Sequence, residues 1–259
     1  MTRTETTYTE IDGMPATESA LSAPVLSGPG HFTAMQVRDG RVRGLALHLD
    51  RLDAATREYL GRTGLDGERV RAEIRQALAA SGRDDASVRV HVHWPDGDSR
   101  ATLKVTVRGP QVAATGPLRL ISVPYVRHTP RIKHLDGAVQ NRALDEAEAR
   151  GADEALLTTP EGLVTEGAIT NIAFWDGEHV IWPDAPCLRG MTMALLEPRL
   201  PSVRRVVTLG DLPGCRAVFV TNSRGISPVG RVDDVEFPVA QDFMTGVMAA
   251  YEAVPWDVV

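Results

Sequence analysis

The amino-acid sequence predicts an α+β fold in which strands and helices form clusters instead of alternating regularly. Short apolar runs bounded by Gly, Pro or Asp-Gly turns are typical of strands, and longer stretches carry apolar residues at helical spacing. With 259 residues, of which 43% are hydrophobic and 24% charged, the chain can bury a sizeable core in one large domain or two smaller ones.

The first half of the chain is predicted to hold two helices with strands on either side. Leu49, Leu52 and Thr56 fall on one face of the first helix, and the second helix spans residues 67–80 and stops at Gly82. The strands are expected at residues 31–37, 88–93, 102–108 and 118–123, with turns at Asp39-Gly40 and Pro95-Asp96-Gly97.

Residues 124–131 (PYVRHTPR) break this pattern with two prolines and two arginines. We therefore expect a domain boundary near residue 125, between an N-terminal domain over 29–125 and a C-terminal domain over 126–259. Residues 1–28 are treated as an N-terminal tail that is polar and lacks the apolar segment of a secretory signal, and the start of this tail is expected to be loose.

The second half is predicted to combine one longer helix with several hairpins. The helix spans residues 137–150 and is capped by Gly151, and a shorter helix over 192–196 starts near Gly190. The strands are expected at residues 154–158, 163–166, 169–175, 180–182 and 217–220.

Composition narrows the class of function. The net charge of −6 and the pI of about 5.7 disfavour nucleic-acid binding, and no stretch approaches the roughly 20 apolar residues of a membrane helix. Two scattered cysteines suggest a reducing compartment and no disulfide framework, and no Cys/His cluster indicates a metal site. We therefore expect a cytoplasmic protein that acts on a small molecule.

Lys133 is the first candidate for chemistry. The positive charge of the chain is almost all arginine, and a site that needs a primary amine is one place where arginine cannot substitute. Lys133 lies between Ile132 and His134-Leu135, and a desolvated lysine with a lowered pKa is a nucleophile for Schiff-base chemistry. The alternative, an ordinary solvated lysine, is the commoner case for a lone lysine.

Glu166 is the second candidate. It closes the strand over residues 163–165 and precedes Gly167, so its carboxylate could approach the edge of a flat ring. Against a pyridine nitrogen it would keep that nitrogen protonated and make the ring an electron sink. The alternative is a surface glutamate in a hairpin.

Three segments could bind a phosphate. Gly190 before a helix leaves the backbone N–H groups of Met191 and Thr192 at a positive helix end, and Thr192 adds a hydroxyl. The Asn222-Ser223 turn offers further donors, and Arg51 could pair with a phosphate. Each has a simpler interpretation, namely an N-cap, an Asx turn and an ion pair on a solvated helix face.

The order of these candidates resembles the class IV aminotransferases, the group that contains branched-chain and D-amino-acid aminotransferases and aminodeoxychorismate lyase. The resemblance extends from about residue 29 to about residue 249. The matching segments are HLDRL (48–52), IKHLDGA (132–138), GADEALL (151–157), GLVTEGAITNIAFW (162–175), CLRGMT (187–192) and TNSRGISPV (221–229).

The resemblance implies a two-domain fold of the D-amino-acid aminotransferase-like type, with a small N-terminal α/β domain and a larger, β-rich C-terminal domain. It implies pyridoxal 5'-phosphate as the cofactor and a homodimer as the assembly. Lys133 would bind the cofactor covalently and move protons, and Glu166 would bind the pyridine nitrogen. Arg51, the N–H groups of Met191 and Thr192, and the Asn222-Ser223 turn would hold the phosphate.

Two departures from the family pattern bear on the reaction. Ala138 stands where many members have a tyrosine, and Arg189 replaces a proline before Gly190. The first hypothesis is a transaminase that uses an amino acid and a 2-oxo acid. The second is a carbon–oxygen lyase that releases pyruvate from an aminated chorismate, which the IKHLDGA segment favours. The third is a member that has lost pyridoxal chemistry.

Candidates for substrate binding come from the first domain. Arg89, His91 and His93 alternate along one predicted strand, so they share one face. Toward a pocket these side chains could bind a carboxylate, and toward solvent they would have no special role. Arg127 and Arg131 are alternatives for carboxylate capture.

Overall fold

In the computed structural model, which describes residues 7–26, 28–95 and 97–259, the chain divides into two units. Unit 1 comprises the described residues up to Gln111 together with Ile132–Asp136 and Pro255–Val259. Unit 2 comprises Val112–Arg131 and Gly137–Val254. Helices and strands occur in both units, which is the α+β class that the sequence predicts.

Unit 1 is built on an antiparallel sheet and two long helices. Its strands in the first half of the chain are β1 (Tyr8–Ile11), β2 (Met14–Pro15), β3 (Gly30–Val37), β4 (Arg41–Arg43), β5 (Ala86–His93) and β6 (Thr102–Arg108). Its helices are α1 (Glu18–Leu21), α2 (Leu45–Leu60) and α3 (Gly67–Ser81). The order in the sheet is β2-β1-β6-β5-β3, and α2 and α3 are the two helices that the apolar spacing predicts.

The core of unit 1 lies on one face of this sheet. Val88, Val90 and Val92 alternate along β5 with no exposed surface and join one core cluster with Leu52 of α2 and Ile74 of α3. The residues between these valines therefore lie on the opposite face.

The tail over residues 1–28 contains a strand close to its expected loose start. Tyr8–Ile11 forms β1 and pairs with β6, although residues 1–6 lie outside the described part of the chain. Glu10 points inward, where it accepts hydrogen bonds from the Tyr8 hydroxyl at 2.8 Å and from Gln76 Nε2 at 3.3 Å. The inward-facing residue of β1 is thus a hydrogen-bonded carboxylate, and the alternation of apolar residues that indicates a strand is missing here. Asp96 of the turn predicted at residues 95–97 also lies outside the described residues.

Unit 2 is built on a curled sheet with three helices. Its strands are β7 (Leu118–Pro124), β8 (Glu154–Thr158), β9 (Val164–Gly167), β10 (Asn171–Trp175), β11 (Val180–Pro183), β12 (Ser202–Arg205), β13 (Ala217–Asn222), β14 (Gly225–Val232) and β15 (Val235–Glu236). Its helices are α4 (Ala138–Ala149), α5 (Met191–Leu196) and α6 (Gln241–Glu252). The order is β12-β11-β10-β13-β14-β7-β8-β9, with β15 beside β14, and β16 (Trp256–Val258) pairs with β4 in unit 1.

The division between the units differs from the expected boundary near residue 125 in two places. The strand β7 pairs in parallel with β8, so the chain enters unit 2 after Gln111. The segment Ile132–Asp136 returns to unit 1, because Phe32 N donates to Lys133 O at 2.9 Å and Leu135 N donates to Gly30 O at 2.9 Å. Lys133 therefore lies in unit 1, although the expected C-terminal domain over 126–259 would include it.

The helices of the described residues do not meet the requirements of a membrane span. None of those in residues 7–26, 28–95 and 97–259 combines the necessary length with sufficient apolar character.

Candidate active site

Lys133 is held against an aromatic ring of unit 1. Its segment pairs antiparallel with the start of β3, and His31 and His134 form the bridge. The half-buried Lys133 places Nζ 4.9 Å from the centroid of the Phe32 ring. A cation over a ring face at this distance is attracted by the ring quadrupole. Strand pairing thus positions the backbone of Lys133, and the Phe32 ring lies beside its amine.

Arg89, His91 and His93 lie on the face of β5 opposite the core, as their alternation predicts. The register places Phe32 opposite His91. Arg89 Cζ lies 5.4 Å from the Phe32 ring centroid, and the His91 ring meets the Phe32 ring edge-on at 5.5 Å. Phe32 is therefore the common neighbour of Lys133, Arg89 and His91. Phe32 could not be identified from the sequence, since a single aromatic residue on a strand does not indicate a functional site.

The two histidines on this face are largely removed from water. His93 is 1% exposed, and neither of its ring nitrogens has a hydrogen-bond partner among the described residues. Burial lowers the pKa of His93 to about 4, with a further contribution from Lys104. Burial also lowers the pKa of His91 to about 3, helped by the positive charges of Lys104 and Arg89. Both rings are consequently neutral at pH 7, and Arg89 is the cation of this group.

Arg51 lies on α2 in a buried polar cluster of unit 1. It donates to Thr33 Oγ1, which is also 2.6 Å from His48 Nδ1. Burial lowers the pKa of Arg51 to about 10 and shifts the pKa of the buried His48 well below its ordinary value. The buried Nε of Arg51 has no hydrogen-bond partner among the described residues. The interpretation of Arg51 as a partner on a solvated helix face is therefore wrong.

Glu166 and Arg127 form a buried ion pair in unit 2. Their residues are 3% and 7% exposed, and Arg127 Nε lies 3.6 Å from Glu166 Oε1. The same oxygen accepts a hydrogen bond from Leu188 N at 3.2 Å. Two buried charges of opposite sign compensate each other, whereas either one alone would be costly. Glu166 is thus no surface glutamate, and Arg127, considered above for substrate binding, is instead the partner of Glu166.

Asn171 holds the segment that precedes α5. Its Nδ2 donates to Leu188 O at 2.6 Å, and its Oδ1 accepts from Gly190 N at 2.9 Å. A Cβ atom at position 190 would lie 2.2 Å from Asn171 Oδ1, so the close approach requires glycine. Asn171 belongs to the matching segment GLVTEGAITNIAFW (162–175), but the sequence alone did not indicate its role. Arg189 points outward and pairs with Glu197 at 3.0 Å.

Two segments expected to bind a phosphate are joined in unit 2. The buried Thr192 donates its hydroxyl to Asn222 O at 2.6 Å, and Asn222 Oδ1 accepts from Arg224 N at 2.8 Å as in an Asx turn. These bonds use the hydroxyl proton of Thr192 and one side-chain oxygen of Asn222. The backbone N–H groups of Met191, Thr192 and Ser223 are not used by these bonds.

The predicted site residues thus form two groups. Lys133, Arg51, Arg89, His91 and His93 belong to unit 1. The second group, in unit 2, consists of Glu166, Met191, Thr192, Asn222 and Ser223. Within the described ranges there is no cluster of three or more His, Cys, Asp or Glu side chains that could hold a metal ion.

Comparison with known proteins gives a family and a fold. A family model described as amino-transferase class IV matches residues 30–232. A branched-chain aminotransferase from Thermoproteus uzoniensis, solved with norvaline, is similar at TM-score 0.82 and 19% identity, over 95% of this chain and 94% of that chain. A hypothetical aminotransferase from Mycobacterium tuberculosis in a PLP-bound form is similar at TM-score 0.80 and 20% identity, over 95% and 98%.

A third similar structure carries the name of a lyase. It is a provisionally named 4-amino-4-deoxychorismate lyase from Legionella pneumophila, with TM-score 0.79 and 20% identity over 89% of this chain and 93% of that chain. At such identities the likeness shows the fold alone. No curated protein matches the sequence.

Proposed function

Because its residues 30–232 match the family model, the chain belongs to the class IV aminotransferase family of enzymes, and we propose that it is a pyridoxal-phosphate-dependent aminotransferase. In this proposal it moves an amino group between an amino acid and a 2-oxo acid. The observation that carries the proposal is that the family match includes both Lys133, a half-buried amine, and Glu166, a buried carboxylate with a charged partner. We also propose that it acts in the cytoplasm as a homodimer, as the family resemblance implies.

The donor set fits pyridoxal 5'-phosphate. Lys133 offers the primary amine that the cofactor aldehyde needs, and Glu166 offers an acidic group for the ring nitrogen. The buried Nε of Arg51, which lacks a partner among the described residues, suits an anionic group. When bound, pyridoxal phosphate withdraws into its ring the electrons released at the α-carbon of the substrate.

The residues of this chain have separate tasks in the proposal. Lys133 holds the cofactor through its amine and, once released by the incoming substrate, moves the proton at the α-carbon. Glu166 holds a proton at the ring nitrogen, and Arg127 keeps the buried carboxylate compensated. Arg51 and the backbone N–H groups of Met191, Thr192 and the Asn222-Ser223 turn bind the phosphate.

Substrate recognition is assigned to the outer face of β5. Arg89 supplies the positive charge for a substrate carboxylate. His91 and His93 are neutral at pH 7 because burial lowers their pKa values to about 3 and about 4, so they contribute hydrogen bonds and shape instead of charge. Arg127 is assigned to Glu166 instead of to the substrate, because the two residues form a buried ion pair.

A second candidate function is the carbon–oxygen lyase reaction that releases pyruvate from an aminated chorismate. It is favoured by the sequence IKHLDGA, in which the exposed Ala138 stands where many aminotransferases of the family carry a tyrosine. Lys133 and Glu166 would keep the same roles, because both reactions begin with removal of a proton from the same carbon.

The test is a visible absorption spectrum of the purified protein with pyridoxal phosphate, before and after addition of an amino-acid mixture. We expect a band of the covalently held cofactor, and its conversion to the pyridoxamine form on addition of amino acids. A stable band combined with pyruvate release from aminodeoxychorismate would establish the lyase instead. A protein that develops no band would contradict both functions and leave the third hypothesis, a member that has lost pyridoxal chemistry.

A further inference from the structure

Glu154 is a buried carboxylate that the proposed function does not use. It begins β8 and is 2% exposed. Its Oε1 accepts hydrogen bonds from Ala155 N at 3.0 Å and from Ala168 N at 3.1 Å. Burial raises the pKa of Glu154 to about 7 although these N–H groups act against the shift. Backbone N–H groups that donate to a buried carboxyl group stabilise it there. The segment that supplies these donors is therefore the structural partner of Glu154.

That partner is the turn over residues 167–170, which joins β9 to β10. Gly167 N donates to Thr170 O at 2.9 Å, and Ala168 N also donates to Ala155 O at 2.9 Å. A Cβ atom at position 167 would lie 2.0 Å from Thr170 Oγ1 and 3.4 Å from Glu154 Cδ. The turn is therefore packed tightly against the Glu154 carboxyl group.

Both ends of this turn carry residues of the candidate site. Glu166 immediately precedes the turn and accepts from Leu188 N, while Asn171 immediately follows it and bonds Leu188 O and Gly190 N. Both residues thus bond the segment over 188–190, and this segment leads into α5. A displacement of the turn would move both holding residues together.

We propose that Glu154 is a positioning residue, which through the 167–170 turn fixes Glu166 and Asn171 and thereby the 188–190 segment. Its effect on turnover rests on the proposed function, whereas its effect on the segment is a property of the protein without cofactor. Glu154 itself binds neither cofactor nor substrate in this proposal.

The first test measures backbone amide hydrogen exchange in the cofactor-free protein. In Glu154→Ala we expect exchange at residues 167–171 and 188–190 to rise about tenfold or more, while the amide of Phe219 keeps its protection. Asp153→Ala is the matched control, because the exposed Asp153 carboxylate also accepts from a backbone N–H, that of Arg119 at 2.8 Å, outside the turn. This control should leave both segments unchanged.

Two outcomes would overturn the proposal. One is faster exchange in the turn of Glu154→Ala with unchanged exchange at residues 188–190, since the carboxyl group would then hold the turn alone. The other is an equal rise in Asp153→Ala. If Glu154→Ala does not fold, Glu154→Asp serves instead, because it keeps the charge but shortens the reach to Ala168 N, and the same comparison applies.

The second test uses the protein loaded with pyridoxal phosphate. We expect Glu154→Gln, which keeps an acceptor oxygen, to retain more kcat than Glu154→Ala, with KM for the amino acid within about twofold in both variants. A change in KM alone would contradict a positioning role toward Glu166. A wild-type protein that binds no cofactor would remove the proposed function, yet the exchange experiment would still decide the positioning role.

Discussion

Among the described residues, the buried histidines belong to unit 1, which also buries Glu10, whereas unit 2 buries Glu154 and Glu166 together with Arg127. In unit 1 the buried residues include His31, His48 and His93, and burial lowers the pKa of each, to about 4 for His31 and His93. In unit 2 the buried residues include Glu154 and Glu166, and burial raises the pKa of Glu154 to about 7. Burial favours the neutral form of both residue types. A fall in pH therefore destabilises the fold around the buried histidines, which become charged, and stabilises it around Glu154, which becomes neutral.

The two units also position their candidate site residues, Lys133 and Glu166, in different ways. In unit 1 the backbone of Lys133 pairs with β3, and its amine lies beside the Phe32 ring. Unit 2 holds Glu166 by an ion pair and by hydrogen bonds that extend through Asn171 to Gly190. The first arrangement suits the Lys133 amine, which in the proposed reaction is released from the cofactor and later binds it again. The second arrangement suits the Glu166 carboxylate, which stays in place.

The largest effect is expected from breaking the ion pair of unit 2. Arg127→Met removes the charge opposite the buried Glu166, and we expect a loss of about 3–5 kcal/mol in the free energy of unfolding. Urea unfolding of the cofactor-free protein measures it. Arg150→Met is the control, since its pair with Glu146 is half exposed on both sides and should contribute about 0–1 kcal/mol. Equal losses would mean that burial of the pair has no energetic weight.

The pH response of unit 1 is the next prediction. Folding holds the pKa values of the buried histidines below their ordinary value of 6.5, so their contribution is fully present above pH 6.5 and is lost as the pH falls toward about 4. We expect about 1–3 kcal/mol per histidine, measured by amide exchange at Val88 and Val90. His93→Leu should weaken this dependence, and the exposed-site control His128→Leu should not. A pH-independent wild-type unit 1 would contradict the burial argument.

Unit 2 should respond with the opposite sign through Glu154. Its pKa is raised from 4.5 to about 7, so its contribution is fully present below pH 4.5 and is lost as the pH rises through about 7. Amide exchange at Phe219 should show a loss of about 1–3 kcal/mol over this range, and Glu154→Gln should remove that part of the dependence. Identical pH profiles for the variant and the wild type would show that Glu154 does not titrate here.

The smallest effect concerns the bond between the two phosphate-binding segments. Thr192→Val removes the hydroxyl donated to Asn222 O and should cost about 1 kcal/mol of stability and about fivefold in affinity for pyridoxal phosphate. Thr165→Val is matched, because the buried Thr165 donates to Leu157 O at 2.9 Å in the same unit. It should lose similar stability but no cofactor affinity. Equal loss of affinity in both variants would remove the special role of Thr192.

Elements with strong periodicity could be predicted from the sequence. The helices α2 and α3 carry apolar residues at helical spacing and end at Gly61 and Gly82, and the strand β6 was predicted with its observed bounds. The strand β1 was missed because its inward residue is Glu10, whose stability there depends on hydrogen bonds from Tyr8 and Gln76 that sequence periodicity does not encode.

The candidate site could be predicted as a set of residues but not as a set of contacts. The family pattern identified Lys133 and Glu166, because each is a residue type with few substitutes for its chemistry. The partner of Glu166, Arg127, lies 39 positions away in an irregular segment, where the sequence suggested it for binding a substrate carboxylate and not for pairing with Glu166. The return of Ile132–Asp136 to unit 1 depends on backbone pairing with β3, which side-chain patterns do not specify.

The most direct test of the central claim is to find which amine carries the cofactor. The chain has two lysines, and Lys104, half-buried on β6 with its pKa lowered by burial, is the natural competitor of Lys133. Borohydride reduction of the protein loaded with pyridoxal phosphate, followed by peptide mass spectrometry, fixes the linkage in place. We expect the phosphopyridoxyl group on Lys133 in the wild type and in Lys104→Ala, and we expect it to be absent from Lys133→Ala. A label on Lys104, or an unchanged absorption band in Lys133→Ala, would contradict it.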